Sequence, residues 1–531
     1  MMSSTRSSAG ITAAVFLAIG SMMACTRTEA PAPAATVAPK LPAIDLKEQP
    51  GFPLKAHLES ADLAGNKVAF KKVFEDGSGL FHAVYNGLDG VGVAVRPPKG
   101  DRIFRFAPMG AGGPAAQSCG ECHAVPFPSS AGLAHSSIAR DPDNDGKPPF
   151  NVRSMRSLFG NGTMQLLAQE MTEELQAARD DAAKAASGAP GTTVWRDLKS
   201  KGTSFGAIGA IAGAKGVTFD TSKVQGLDPD LVVRPFGWKG DTPTLRIFSA
   251  AVSTFGLGME AEEVVWKLPG GDKNTDLDAD GVARELSVGD VTAMTVYNAA
   301  LETPSEVARL AALGYVQTPT NDDTAQIAKG LAAFGSIGCA TCHTPEMHLA
   351  NTKFEEPTAR GNGHYYDHPL AAKDPNYDPK RPVSFDVLTD AQAPRVEAAA
   401  SGGATVRPFG DLKRHAMGRA LADPGGPSET DTSDLDSLKI DGKPVKIPAD
   451  QFLTAALWGV GNTGPYLHDN RAGTLREAVL LHGEDKPPAP GQPGRSEAQE
   501  ARDAFKALPS GDQQALIAFL RSLQTFSPPK K

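Results

Sequence analysis

The 531-residue chain has only five cysteines, 6% aromatic residues and no long basic run. A missing basic run and a formal net charge of −8 argue against a nucleic-acid binder, because phosphate recognition needs clustered Lys and Arg. The scarcity of aromatics argues against a strand-rich sandwich. The apolar run "AGITAAVFLAIGSMMA" at 9–24 has 16 residues, fewer than the ~20 that a membrane-spanning helix needs. It ends in "MMAC", Met22 to Cys25, and reads as a lipoprotein-type export signal with Cys25 as the lipidated residue. Ordinary cleavage near Ala24 with an incidental Cys25 is the alternative. The first reading predicts a signal peptide over 1–24, a Pro/Ala linker over 25–50 and a periplasmic protein. That protein meets the membrane only through a lipid anchor at Cys25.

The shortage of cysteine carries more. Beyond Cys25, the remaining four form two copies of one pattern, Cys119-x-x-Cys122-His123 and Cys339-x-x-Cys342-His343. None is left for a structural disulfide. A bare Cys-x-x-Cys in an oxidising compartment would be a redox pair or a zinc half-site. Neither explains a histidine directly after both pairs. Cys-x-x-Cys-His binds haem covalently, the thiols adding to the porphyrin vinyl groups and the histidine supplying the proximal iron ligand. Two covalently bound haem c groups are expected, on His123 and His343.

The rest of the chain is organised around these motifs. Gly 55 and Pro 42 imply a high loop content. Amphipathic periodicity predicts helices over 163–187 and 287–301, with Ser287 and Asp290 as a capping box. A short helix is expected directly before Cys339, the usual layout of a cytochrome c fold. A final helix carries Leu516, Ile517, Phe519, Leu520 and Leu523 as an apolar stripe, with Ser510 and Gln513 as its box. The segment 352–450 reads as an irregular excursion. The expected fold is mainly α: two cytochrome c-like haem domains, 51–318 and 319–531, with long irregular loop insertions.

The sixth iron ligand separates electron transfer from chemistry, since an open site can bind peroxide or oxygen. Thr474 and Glu477 form a capping box that opens a helix over 475–482. Leu475, Val479 and His482 share one face, and Gly483 ends the helix. A histidine there is by default a satisfied core residue, but a haem must be covered by something, so His482 gains as a ligand. Two acidic loops, 141–146 and 276–281, read Asp-x-Asp-x-Asp-Gly, a spacing that suits calcium, with a solvated turn as the equal alternative. The second offers Asp276, Asp278 and Asp280.

The stretches "FGWKGDTPTL" (236–245), "ELSVGDVTA" (285–293), "DLKRHAMGRALAD" (411–423) and "ALWGVGNTGPYLHDNRAGTLREAVLLHGE" resemble a family of bacterial di-haem oxidoreductases. That family is related to di-haem cytochrome c peroxidases and MauG and, more distantly, to di-haem rubber oxygenases. The resemblance implies a His343/His482 haem that stores and passes electrons. It implies an inter-haem place for Trp238, against the even alternative of a core tryptophan. It matches His468 in "PYLHD" to a family histidine that tunes the haem, with Tyr466 and Arg471 beside it. The peroxidases place a distal acid and a Gln downstream of the Trp. Here Glu260, Glu262 and Glu263 stand slightly displaced, and no Gln is present. Phe248 and Phe255 add apolar bulk that suits oxygen. His135, Met109, Met155 and Met259 are further candidates to cap the first iron. Related peroxidases bind calcium, which favours the second acidic loop. The resemblance implies an enzyme that reduces hydrogen peroxide at the N-terminal haem, fed through the C-terminal haem by a small cytochrome or cupredoxin. A di-haem oxygenase acting on an organic substrate, or a non-enzymatic electron carrier, is the alternative.

Overall fold

The protein is described from a computed structural model that covers residues 47–92, 102–104, 114, 116–141, 148–266, 271–272, 274–276, 280–358, 378, 380–429, 439–440, 443–486 and 494–528. The elements that build the sites are α1 (Phe70–His82), α2 (Asn161–Ser187), β1 (Val194–Ser200), β2 (Thr203–Gly213), β3 (Gly216–Asp220), α3 (Leu245–Leu257), α4 (Val288–Ala299), α5 (Asn321–Ser336), β4 (Arg414–Ala416), β5 (Gln451–Leu453), α6 (Leu475–Leu480) and α7 (Ser510–Ser522). Among the described residues no helix is long and apolar enough to cross a membrane.

Helix starts follow the capping chemistry of the sequence. Ser287, Thr320 and Thr474 each accept from the backbone N–H three residues on, and an acidic side chain accepts in return from the cap backbone. These reciprocal bonds satisfy donors that a helix start otherwise leaves orphaned. The last helix is different. Pro509 occupies its cap position, and no side chain caps it. Gln513 instead donates to the Leu508 carbonyl at 2.9 Å.

The expectation of a mainly α fold built from two cytochrome c-like domains is corrected. Among the described residues 34% are helical and 17% lie in strands, arranged as several small sheets. The largest departure is the antiparallel meander β1–β2–β3. Lys201 and Gly202 both hold positive φ, 48° and 86°, the two-residue hairpin turn whose twist matches its strands. The one local signal for this meander is the X-Gly pair at its first turn. The segment after 347 also departs from an irregular excursion. It forms short paired strands that place Phe354, Val383, Phe385 and Val406 in the larger core.

Two crossing helix pairs, built alike, frame the two motifs. Helix α1 crosses α4, and α5 crosses α7. Each crossing closes on a glycine. A Cβ at Gly77 would lie 2.0 Å from the Ala293 carbonyl oxygen, and one at Gly330 would lie 2.0 Å from that of Ala515. Only a residue without Cβ permits this approach. Four residues on from each glycine a phenylalanine packs beside the motif histidine. Phe81 lies 6.3 Å from His123 at 50°, and Phe334 lies 6.3 Å from His343 at 50°.

Gly330→Ala is therefore expected to force the α5–α7 crossing apart at a cost of about 1–3 kcal/mol, the usual range for overpacking. A lower denaturation midpoint is the expected result. An unchanged midpoint would show that the crossing is not tight.

Candidate haem sites

Each motif opens onto a cavity. The C-terminal cavity has about 420 Å³ and is lined by Cys339, Cys342, His343, Tyr466, His468 and His482, among apolar residues that include Phe334, Leu457, Val479 and Leu516. The N-terminal cavity has about 200 Å³ and is lined by Cys119, Cys122, His123, Phe81, Phe248, Val252 and Met294, with Arg140, Arg153 and Arg156. All four described cysteines are free thiols. Burial pushes the Cys119 thiol up to about 12 and Cys339 to about 11.

The histidines are prepared as ligands. Nδ1 of His343 lies 2.9 Å from the Phe409 carbonyl oxygen, and Nδ1 of His482 lies 2.7 Å from that of Ala478. Nδ1 of His123 meets the Ser130 carbonyl oxygen at 3.0 Å. A carbonyl only accepts, so Nδ1 carries the proton and Nε2 keeps its lone pair. Burial holds all three below the ordinary histidine value, His343 at about 4 with His482 nearby as a second cause. A neutral imidazole is the form that binds a metal.

The fit of an iron between His343 and His482 can be tested on the distance between them. Their ring centroids are 6.4 Å apart. Two metal–imidazole bonds of about 2.0–2.1 Å, each with a ring centroid about 1.1 Å beyond its nitrogen, span about 6.3 Å. The pair thus has the spacing of two axial ligands on one metal. Helix α6 delivers His482 just past its last turn, as its capping box and apolar face lead one to expect.

His123 has no such counterpart. Among the described residues no second histidine lines its cavity. His135 is exposed on a short 3-10 turn. Met155 lines both cavities, whereas Met259 is fully buried and lines neither. Met109 and the Phe255 side chain fall outside the described residues. Phe248 does line the cavity, on a face of α3 that also presents Val252 and Gly256.

Glu260 is not brought into the first cavity. Gly258 at φ 73° ends α3, and the chain then carries the acids elsewhere. Glu260 is fully buried and lines neither cavity. Glu262 pairs with Arg284 at 2.9 Å, and Glu263 pairs with the buried Arg246 at 3.1 Å. In the acidic loop, Asp276 accepts from the backbone N–H of Asp280 at 3.3 Å and of Gly281 at 2.9 Å. Asp278 and most of the 141–146 loop lie outside the described residues.

Trp238 lines both cavities, as do Ser154, Met155, Arg156, Asn161 and Pro235. Its Nε1 donates to the Ser154 carbonyl at 2.9 Å, and the Arg156 guanidinium lies over its ring at 5.2 Å. His468 meets it edge-on at 6.4 Å and stacks on Phe452 at 4.3 Å. Tyr466 lines the second cavity, while Arg471 pairs outside it with Asp469.

Buried polar residues beside the cavities carry no local sequence pattern. Asp423 accepts from Arg153 at 2.6 and 2.7 Å and from the fully buried Lys239 at 2.9 Å. Burial raises its carboxyl, but the Arg153 and Lys239 charges outweigh that and hold it below its ordinary value. Burial also lowers Lys239 to about 8. His415, in the second cavity, sits between Asp411 at 2.9 Å and Glu497 at 2.7 Å. Burial lowers it, but these partners and Cys342 raise it to about 11. Cys342, Asp411 and His415 place donor atoms within 4.8 Å of one another, yet an imidazolium has no lone pair to offer a metal. Its one sequence signal was the quoted 411–423 stretch.

Residues 383–523 match a family described as "Di-haem oxidoreductase, putative peroxidase". The match supports the di-haem oxidoreductase resemblance over the segment that holds His415, His468 and His482. It does not extend to MauG or the rubber oxygenases. No curated protein matches the chain.

Two outcomes follow. In haem-loaded protein, His482→Ala should convert the centre at His343 from a low-spin to a high-spin absorption and resonance signature; an unchanged spectrum would remove His482 as ligand. Asp411→Ala should destabilise the protein by about 3–5 kcal/mol, because it strips a buried cation of its partner. His415 is raised in the folded state, so this difference should be full below its ordinary value of 6.5 and shrink as pH rises through about 11. Denaturant titrations of both proteins across that range measure it.

Proposed function

We propose that the chain is a di-haem oxidoreductase that reduces hydrogen peroxide at a haem on His123, with electrons relayed from a haem on His343 and His482. The observation that carries this reading is the inequality of the two sites: two neutral imidazoles 6.4 Å apart at one, and, among the described residues, a single histidine lining the other. The family match over 383–523 supports the coarser part, a di-haem oxidoreductase.

Haem, once bound, supplies the one-electron redox chemistry and the iron that meets the oxidant. The four thiols of Cys119, Cys122, Cys339 and Cys342 attach it covalently. His343 and His482 would hold the second haem iron between two imidazoles, which would suit electron transfer without ligand exchange. Carbonyls of Phe409 and Ala478 fix the two rings, so little rearrangement accompanies a change of charge. His123 would hold the first haem iron in a cavity that Phe248, Val252 and Met294 also line, and these side chains would limit water there. Trp238 and the 154–156 segment form the wall common to both cavities and give electrons a short aromatic path. Arg156 presents positive charge there, complementary to haem propionates. No carboxylate of the Glu260 stretch serves as the distal acid, so proton delivery to peroxide falls to water or to the polar groups of this wall.

Phe248, Val252 and Met294 in the first cavity favour a second reading, an oxygenase acting on an organic substrate. A small cytochrome or cupredoxin is the proposed donor. The run 9–24 followed by Cys25 supports a periplasmic, lipid-tethered location.

The deciding experiment mixes half-reduced, haem-loaded protein with hydrogen peroxide and a reduced small cytochrome. Cytochrome oxidation at two equivalents per peroxide is expected. No turnover with peroxide, together with oxygen uptake on adding an organic substrate, would favour the oxygenase. Trp238→Phe should slow transfer between the haems while leaving both haem spectra intact; equal kinetics would return Trp238 to a packing role.

A further inference from the structure

The first helix frame holds a hydroxyl that the second lacks. In each frame the phenylalanine beside the motif histidine packs on a second ring from the crossing helix. Phe81 and Tyr297 are 5.3 Å apart, and Phe334 and Phe519 are 5.3 Å apart. Both second rings rest on the crossing glycine. A Cβ at Gly77 would lie 2.9 Å from Cβ of Tyr297, and one at Gly330 would lie 2.8 Å from Cβ of Phe519. The positions correspond, yet one carries a phenol and the other a phenyl ring.

That phenol begins a directed hydrogen-bond path. Tyr297 is 5% exposed. Its hydroxyl lies 2.6 Å from Ser129 Oγ, which lies 3.3 Å from His82 Nε2. His82 Nδ1 is 2.9 Å from the Ser78 carbonyl oxygen, so Nδ1 carries the proton and Nε2 accepts. The direction is thereby set: Tyr297 donates to Ser129, Ser129 donates to His82, and His82 is exposed. The Ser78 hydroxyl is a second partner of the phenol. A buried tyrosine needs only one partner to be satisfied, and either serine would serve. Satisfaction alone does not call for an ordered path onward to a surface imidazole. The second frame has Gly335 where the first has His82.

We infer that Tyr297 is a redox-active tyrosine that gives one electron to the first haem while its phenolic proton leaves through Ser129 to His82. This rests on the haem assignment above. The oxidant is a hydroperoxide, which accepts two electrons and two solvent protons as its O–O bond breaks to give alcohol or water. One of those electrons comes from Tyr297 across the Phe81–His123 contact, the other from the haem iron. The Tyr297 O–H bond breaks and leaves a neutral phenoxyl radical. Ser129 receives that proton and passes on its own. His82 becomes an imidazolium and releases a proton to solvent. Burial raises the phenol above its ordinary value, so the proton is present to be lost. The device supplies an electron to the first haem when no donor has loaded the second. It belongs at the haem that meets the oxidant, which is where the phenol stands.

The test injects a hole without relying on peroxide chemistry. Full-length, haem-loaded protein is oxidised by photogenerated ruthenium(III) tris-bipyridine, frozen and examined by electron paramagnetic resonance; a parallel sample receives hydrogen peroxide. A tyrosyl signal is expected in the wild type, lost in Tyr297→Phe and reduced several-fold in Ser129→Ala, which keeps the phenol but breaks the path. Tyr297→Phe should fold, since Phe519 fills the matching position. An equal signal in Tyr297→Phe would assign the radical to another of the seven tyrosines and overturn the inference. So would an equal signal in Ser129→Ala, or no tyrosyl signal under ruthenium. A Tyr297 signal under ruthenium but none under peroxide would uphold the redox tyrosine and sink the peroxidase reading instead.

Discussion

A histidine binds iron only if one nitrogen keeps its lone pair and the ring is held still, and much of this structure meets that requirement. Three backbone carbonyls, of Ser130, Phe409 and Ala478, take the Nδ1 protons of His123, His343 and His482. Each carbonyl lies in a different kind of local structure. One follows a tight turn after the first motif, one ends a short-strand region and one belongs to the last turn of α6. The loop-rich composition follows from this: carbonyls must be turned inward at places where regular ladders would consume them.

Around these ligands the chain repeats one frame and then varies its contents. Two helix crossings closed on glycine put a phenylalanine beside each motif histidine with the same separation and tilt. The second frame receives His482 and an apolar partner ring. The first receives an apolar distal wall and a phenol with a route to the surface. Shared architecture with different fillings is a simple way to obtain an electron store and a reaction centre from one plan. Arg153, beside the first cavity, is tied to a buried Asp423 that Lys239 also shares.

What could be read in advance depended on how far a signal reached along the chain. The haem motifs were legible because their chemistry is compressed into five residues. His482 was legible because a capping box at Thr474 fixed the phase of a short helix. Helices α2 and α4 appeared close to their expected limits for the same reason. The meander β1–β3 is announced by little more than one X-Gly turn, Lys201-Gly202, and so was not legible. Glu260 lies outside both cavities because a helix end at Gly258 redirects the chain, while Arg284 holds Glu262 and the buried Arg246 holds Glu263. Arg153, Lys239 and Asp423 come from three remote segments, as do Tyr297, Ser129 and His82. No local pattern announces a meeting of that kind.

The salt bridge from Arg153 to Asp423 reaches from the early part of the chain into the stretch 383–523 recognised by family likeness, and it bears on what that stretch is. Cut out alone, 383–523 would take Asp423 away from Arg153 and Lys239, and Arg414 away from Asp228. Helix α7 would lose α5, against which it closes. The recognisable unit is therefore a unit of inheritance and not of folding, and a truncated version would surrender its buried charges unpaired. Exchange of this stretch between relatives should succeed only when the partners in the first half travel with it.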